Sequence, residues 1–533
     1  MDTQKGNTTD SLNLNFGLTI ADLYRRDGLV KLDRFFIDFL STSDDPLLQR
    51  MESARAYPEN LLPKDESALL IDIAPWLEDF IARLFGITSE VQQLAAQHHE
   101  LAPLYFCKRQ FVQRRAKSKI NNDELATIDG LALEKELTQE FGGIFSELIF
   151  ASKVVEWMEA EANNESRLNK ALRYAAWALR TPEGQRHTHQ GILFSSPAKL
   201  DYQRLLSLET DEAAGYPVHG LDHHRERNGF ALTDKGTDLM GALDEANYCI
   251  WCHEQGKDSC SKGFIQKPKL PDEPRAFKKS ELGALLAGCP LEERISEFHK
   301  LKAQGVAIGS LAMIVVDNPM CAGTGHRICN DCMKSCIYQK QDPVDIPQAE
   351  TRTLKDVLEL PWGFEIYSLL TRWNPLNLRR PVPKAASGRK VLVVGMGPAG
   401  YTLSHHLMND GHTVVGIDGL KIEPLPELIS GINQQGERVS FKAIQHISTL
   451  EEDLDQRTPG GFGGVAEYGI TVRWNKNFLK VIRLLLERRE EFALFGGIRF
   501  GGTLTTHDAF TMGFDHVALA SGAGRPTILD LPN

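Results

Sequence analysis

A chain of 533 residues is too long for one hydrophobic core and corresponds to two to four domains of about 100–200 residues each. Its 42% apolar and 25% charged residues are an ordinary globular balance, and its net charge of −11 argues against general polyanion binding, which needs a clustered basic surface. The polar residues 1–10 lead into no signal-peptide core, and no stretch approaches the roughly 18 uncharged apolar residues of a membrane span. A cytoplasmic chain that binds neither nucleic acid nor membrane is expected.

Residues 11–240 predict helices. Ile144, Leu148, Val155 and Met158 fall near one 3.6-residue stripe, and Leu168, Leu172, Ala175 and Leu179 form another just after the capping-type pair Asn163-Asn164. The run from Ile71 to Phe85 predicts an amphipathic helix entered through Pro75. The densest basic run, Lys108, Arg109, Arg114, Arg115, Lys117 and Lys119, reads as a solvated helical face, and Cys107 as a packing thiol. His187, His189, His219, His223 and His224 are spaced as metal ligands could be, but they lie among Gly, Pro and Asp, where surface loops are expected. No catalytic constellation emerges before residue 241.

Eight of the nine cysteines fall between Cys249 and Cys336. In a reducing compartment they read as metal or cluster ligands rather than disulfides. Cys249-x2-Cys252 is followed by Cys260, a Lys- and Pro-rich insertion to Arg275, Cys289-Pro290, Cys321, and then Cys329-x2-Cys332-x3-Cys336. A zinc ribbon pairs two such knuckles about 15–20 residues apart. Here 76 residues separate Cys252 from Cys329, with Cys260, Cys289 and Cys336 left over, so the spacing favours iron–sulfur clusters over zinc. A helix pattern from 291 to 305 follows, and Pro361, Pro375, Pro381 and Pro383 mark a linker.

From Arg389 the pattern is α/β. Lys390–Val394 predicts a buried strand, Gly395-Met396-Gly397-Pro398-Ala399-Gly400 a turn, Tyr401–Asn409 a helix, and Thr413–Ile417 a second strand ending in Asp418. In such a turn Gly395 permits the tight bend, Gly397 lets backbone approach a pyrophosphate and Gly400 allows close packing, while Asp418 can accept ribose hydroxyls. A dinucleotide site is predicted.

Together these motifs resemble the small, NADPH-oxidising subunit of glutamate synthase and the N-terminal half of dihydropyrimidine dehydrogenase over about residues 245–533. The resemblance rests on the two cysteine groups, Pro343-Val344-Asp345-Ile346 with Glu350 beyond, Gly395 to Gly400, Gly463-Gly464-Val465-Ala466-Glu467-Tyr468-Gly469-Ile470, and Leu519-Ala520-Ser521-Gly522-Ala523. It implies two 4Fe–4S clusters in a helical domain, followed by an FAD domain that an NADPH domain interrupts. Carried over by motif, Cys249, Cys252, Cys260 and Cys336 hold one cluster. Cys289, Cys329, Cys332 and Glu350 hold the other. Gly464, Tyr468, Gly522 and Ala523 join Gly395, Gly397, Pro398, Ala399, Gly400 and Asp418 around FAD. The spacing departs from the family in the long Cys260–Cys289 gap, the stretched Cys252–Cys260 interval, the tighter Cys329-x2-Cys332, and the extra Cys321.

The expected fold class is multidomain α and α/β: a helical region of unassigned role over 1–240, a helical cluster domain over 241–388, and an incomplete Rossmann-like FAD domain over 389–533. The expected function is electron transfer between FAD and two clusters in an oxidoreductase. With no second glycine fingerprint, NAD(P)H oxidation is assigned to a downstream domain or partner subunit. A non-enzymatic scaffold stabilised by clusters or zinc is the alternative.

Overall fold

Local capping sets the first helices. The Asp44 carboxylate accepts the Leu47 amide at 3.0 Å, so the chain turns directly from helix Arg26–Ser43 into helix Asp45–Ala56. The structure, a computed structural model, describes residues 12–206, 208–212, 215–221, 232, 234–267, 276–326, 328–454, 460–468 and 475–522, with side chains at all of these except 209, 221, 467 and 468.

A third helix, Pro63–Phe85, begins at Pro63 and runs through Pro75, which corrects the predicted entry at Pro75. An interior proline costs about 3 kcal/mol through a lost hydrogen bond and a ring clash. Here Ile73, Ala74, Leu77 and Phe80 are fully buried around it, and their packing offsets that cost. Phe36, Phe80 and Trp373 meet ring against ring at 5.4–6.0 Å, so these helices share one core with residues 249–378 and with one face of the later sheet.

Glu78 stands at the N-terminus of helix Ala307–Asp317, accepting the Ile308 and Gly309 amides at 2.6 and 3.3 Å. Burial nevertheless raises its pKa from 4.5 to about 7. The folded chain therefore keeps a proton that the unfolded chain releases above 4.5, and stability falls as pH rises from 4.5 through about 7. Glu78→Gln is expected to remove about 3 kcal/mol of that fall, read as the difference between wild-type and variant urea midpoints at pH 4.5 and pH 8. Equal slopes in the two proteins would contradict it.

Residues 104–194 build a second core around Phe150, Tyr174 and Trp177. Helix Glu147–Glu159 is capped by Ser146, and its buried face is Phe150, Ala151, Val154 and Trp157, out of phase with the predicted stripe. Ile144 precedes the helix and is exposed, because Phe150 is drawn inward onto Tyr174 and Phe194. In helix Glu161–Arg180 the predicted Leu168, Ala175 and Leu179 are buried, with Asn164 forming a kink rather than a start. Cys107 is fully buried. Lys108 departs from the predicted solvated face: it is buried and paired with Asp244 at 2.6 Å. His187 bonds Glu134, His189 the Arg186 carbonyl and His219 Thr210, while His223 and His224 lie outside the described residues.

Strands β1 (Leu208–Asp211) and β2 (Val218–Leu221) make an antiparallel hairpin. Strands β3 (Lys390–Val394), β4 (Thr413–Ile417), β5 (Phe492–Phe495) and β6 (His516–Leu519) form a parallel sheet in the order β5-β4-β3-β6. Val391, Val393 and Val414 face the main core, and Leu392, Val394 and Ile417 a smaller one with Leu504 and Ala509. Coverage on both faces explains why these strands are continuous apolar runs. The connecting helix begins at Pro398, not Tyr401, since proline at the first helical position loses no intrahelical bond. The fold is multidomain α and α/β. Among the described residues, no helix is long and apolar enough to cross a membrane.

Candidate cofactor sites

Strands β3 and β4 deliver Gly395 and Asp418 to one edge of the sheet. Gly395 adopts φ 95°, and a Cβ there would stand 2.6 Å from the Ala520 carbonyl oxygen, so the bend admits glycine alone. A Cβ on Gly400 would overlap the Gly395 carbonyl. Beside Gly397 the nearest neighbour is Gly464 Cα, 3.6 Å from the Cβ position, and the Gly463 amide donates to the Met396 carbonyl at 3.1 Å. Two glycine loops thus line a cradle at the start of helix Pro398–Asn409. First-turn amides, Ala399 included, have no intrahelical acceptor, and the positive end of the helix points the same way. Such a cradle suits a pyrophosphate. The Asp418 carboxylate accepts the Met396 and Leu420 amides, both at 3.0 Å, which fixes the turn and leaves lone pairs for a diol. Gly522 follows β6 at φ 77°; Ala523 and the Tyr468 side chain lie outside the described residues.

Cys249, Cys252, Cys260 and Cys336 line one apolar pocket with Ile295, Val344 and Ile346. Local geometry brings them there. Cys249 ends helix Leu239–Tyr248, and Trp251 in the left-handed region folds Cys252 back, its amide 3.4 Å from Cys249 Sγ. The described parts of the long Cys260–Cys289 interval pair as a ribbon: Ile265 pairs with Phe277, Lys279 with Leu285, and the Cys289 amide donates to the Cys260 carbonyl at 2.8 Å. Gly263 and Gly288 cross where any Cβ would overlap backbone. The extra length therefore leaves the ends of the ribbon adjacent.

The neighbouring backbone amides of Tyr338, Val344 and Ile337 oppose the effect of burial on the Cys336 thiol. Burial raises every thiol of the set, Cys252 to about 11, so ligation would displace protons. His299 lines the same pocket, is fully buried, and among the described residues has no hydrogen-bond partner at either ring nitrogen. Burial holds it neutral, with its pKa lowered to about 3. An orphaned imidazole N–H beside four thiols in a dry pocket fits the sulfides of an iron–sulfur cluster, which accept such bonds.

In the second set the half-buried Cys332 thiol is raised by desolvation first, and then by Glu293, Glu350, Cys289 and Cys329. Glu350 is buried and accepts from Asn318 Nδ2 at 3.1 Å. Glu293, which sequence reasoning missed, also hydrogen-bonds Asn318, and burial raises its pKa to about 7. Burial, and then the neighbouring Glu293, raises Glu350, and among the described residues neither carboxylate has a Lys or Arg partner. Two buried carboxylates and three thiols form a donor set for hard and soft ligation together. Cys321 is buried beside Glu350 as well, its thiol 3.5 Å from the Tyr367 hydroxyl. Among the described residues, no three His, Cys, Asp or Glu side chains stand as ligands to a single ion. Trp251, Glu292, His326 and Asn330 adopt positive φ next to these loops, a local strain held by the surrounding packing.

Comparison with known proteins adds one family match and three relatives. The family described as RP005 N-terminal alpha-helical domain matches residues 14–86. Uncharacterized protein RP006 of Rickettsia prowazekii (strain Madrid E) is 50% identical over 214 residues, 40% of this chain and 29% of RP006. Uncharacterized protein RP005 of the same organism is 34% identical over 301 residues, 55% of this chain and 99% of RP005. The NADPH glutamate synthase small chain of Bacillus subtilis (strain 168) is 31% identical over 136 residues, 25% of this chain and 24% of that subunit. The chain thus spans under a third of RP006 and about a quarter of the glutamate synthase subunit.

Proposed function

We propose that this chain, which belongs to the family of the uncharacterized protein RP005 of Rickettsia prowazekii, is the electron-transfer portion of an NAD(P)H-dependent iron–sulfur flavoprotein oxidoreductase. In this reading FAD occupies the glycine cradle. One 4Fe–4S cluster is held by Cys249, Cys252, Cys260 and Cys336, the other by Cys289, Cys329, Cys332 and Glu350. Residues 241–388 form the cluster domain and 389–533 the FAD domain, with the helical region of 1–240 preceding them. The four-thiol pocket carries the reading, because its ligands come from both ends of the cysteine segment and enclose apolar space with an unpartnered imidazole. The partial similarity to a glutamate synthase small chain supports the same class of chemistry.

Bound FAD would exchange electron pairs with a nicotinamide and single electrons with the clusters. The chain's own residues supply position and environment. Gly395, Gly397 and Gly400 admit the pyrophosphate, Asp418 fixes the turn and accepts the ribose, and Ile295, Val344 and Ile346 exclude water from the thiols. Burial raises the Cys336 thiol, and the neighbouring Tyr338, Val344 and Ile337 amides partly offset that rise. The nicotinamide site is assigned to further polypeptide, since the sequence holds one glycine fingerprint.

Protein purified and reconstituted under anaerobic conditions is expected to be brown, with broad absorption near about 400 nm, about eight irons and one FAD per chain. A colourless protein with stoichiometric zinc would overturn this reading in favour of a scaffold.

A further inference from the structure

A cavity of about 260 Å³ lies where the second helical core meets the cysteine region. One wall comes from the helical region through Arg109, Gln113 and Ser196, the other from Asn247, Tyr248 and Tyr338. Tyr338 lines this cavity and the four-thiol pocket alike. Its ring stacks on Tyr248 with centroids 4.6 Å apart and planes 5° from parallel, and it follows Cys336 by two residues. The cavity is therefore one aromatic side chain away from the proposed cluster.

The charges around it are largely committed. Lys108 is bound to Asp244 at 2.6 Å, the Glu245 carboxylate accepts the Asp345 amide at 2.8 Å, and that of Asp342 accepts the Ala198 amide at 2.8 Å. Arg109 differs: it is exposed, and among the described residues it has no carboxylate partner. It lines the cavity together with Tyr338. Arg109 and Gln113 belong to a π-helical segment, Lys108–Ala116, a rare conformation frequent at functional sites. The basic run thus presents a free guanidinium and an amide at the edge of a planar, half-buried aromatic wall.

We propose that this cavity is the electron-acceptor site and that it takes a small quinone-class molecule bearing an acidic group. The ring of the ligand would lie against the Tyr248–Tyr338 wall, with its acidic group on Arg109 and a carbonyl within reach of Gln113 or Asn247. Reduction to the hydroquinone takes two electrons, arriving singly as the four-thiol cluster is twice oxidised from its reduced form, and two protons from solvent at the open mouth. The binding site stands on the geometry above, while the electron supply rests on the function proposed for the four thiols. It also gives the helices from 102 to 196 a role, as the outer wall of that site.

Anthraquinone-2-sulfonate is a suitable probe for the full chain. Titration calorimetry is expected to show saturable binding at one site per chain, weakened at least about tenfold in R109E and recovered in R109K, with unchanged circular dichroism, iron and flavin. Dithionite-reduced protein should be reoxidised by the probe with a half-saturation that shifts in parallel. Equal affinity in wild type and R109E would overturn the site, as would the absence of saturable binding. Arg109-dependent binding to protein that contains no iron would instead overturn the electron supply and the proposed function, leaving the ligand site standing.

Discussion

Glu365→Ala is expected to destabilise the chain by about 3–5 kcal/mol, the range for removing one partner of a buried ion pair. The Glu365 carboxylate receives Arg488 at 2.8 Å, with both side chains at most 1% exposed. It also accepts the Ile444 amide at 2.8 Å and the Tyr24 hydroxyl at 3.2 Å. Arg488 in turn donates to the Ile429 and Lys442 carbonyls and lies over the Phe441 ring at 4.2 Å. Removing the carboxylate strands a guanidinium in the interior, which costs more than the pair contributes when intact. One residue here ties together the N-terminal segment, helix Gly363–Leu370 and the segment that leads into the sheet. The loss should therefore appear as a global shift of the urea midpoint with faster amide exchange throughout the main core, and little change around Phe150 and Tyr174. A double variant, Glu365→Leu with Arg488→Met, should recover only part of the loss, because the Ile429 and Lys442 carbonyls lose their donor. A loss below about 1 kcal/mol in the single variant would place the pair among weak, hydrated ones.

The legible parts of the sequence were those whose signals are local. Lys390–Val394 and Thr413–Ile417 occur at their predicted bounds, because a short apolar run buried on both faces and closed by glycine admits little else. Where burial is decided by distant partners, local pattern misled. Pro75 reads as a helix entry, yet the packing of Ile73, Leu77 and Phe80 carries the helix through it. The stripe from Ile144 to Met158 slipped because Phe150 packs on Tyr174 and Phe194 from later in the chain, and Trp157 on Phe141 from before the helix. At the sites, cysteine spacing pointed to the metal-type chemistry but not to its neighbours. Glu293 sits in an acidic turn after Cys289-Pro290 and looks like an ordinary helix start. Only the fold places it against Glu350 and Asn318. His299 likewise reads as one polar residue of an amphipathic helix, while its face of that helix closes the thiol pocket.

Glu350→Ala is expected to remove or alter one of the two proposed clusters, with a loss of up to about four irons per chain, while flavin content and the four-thiol cluster remain. The chemistry that singles out Glu350 is its place among Cys289, Cys329 and Cys332, held by Asn318 in a buried position that a merely structural carboxylate occupies at high cost. Glu293 makes the substitution informative, because it shares Asn318 and is equally buried. If Glu350 is the ligand, Glu293→Gln keeps iron at about eight and shifts only the potential of that cluster, upward, as a neighbouring negative charge is lost. If Glu293 is the ligand, the two variants exchange outcomes: Glu293→Gln loses iron and Glu350→Ala does not. Iron analysis with low-temperature electron paramagnetic resonance of the dithionite-reduced protein separates the cases, and Cys321→Ser in the same series tests whether the thiol beside Tyr367 carries any of the iron. Full iron with unchanged spectra in both carboxylate variants would leave the second site to thiols alone and exclude a carboxylate ligand. With only Cys289, Cys329 and Cys332 in the proposed set, Cys321 would then be the remaining candidate for a fourth ligand, since it is buried against the same carboxylates.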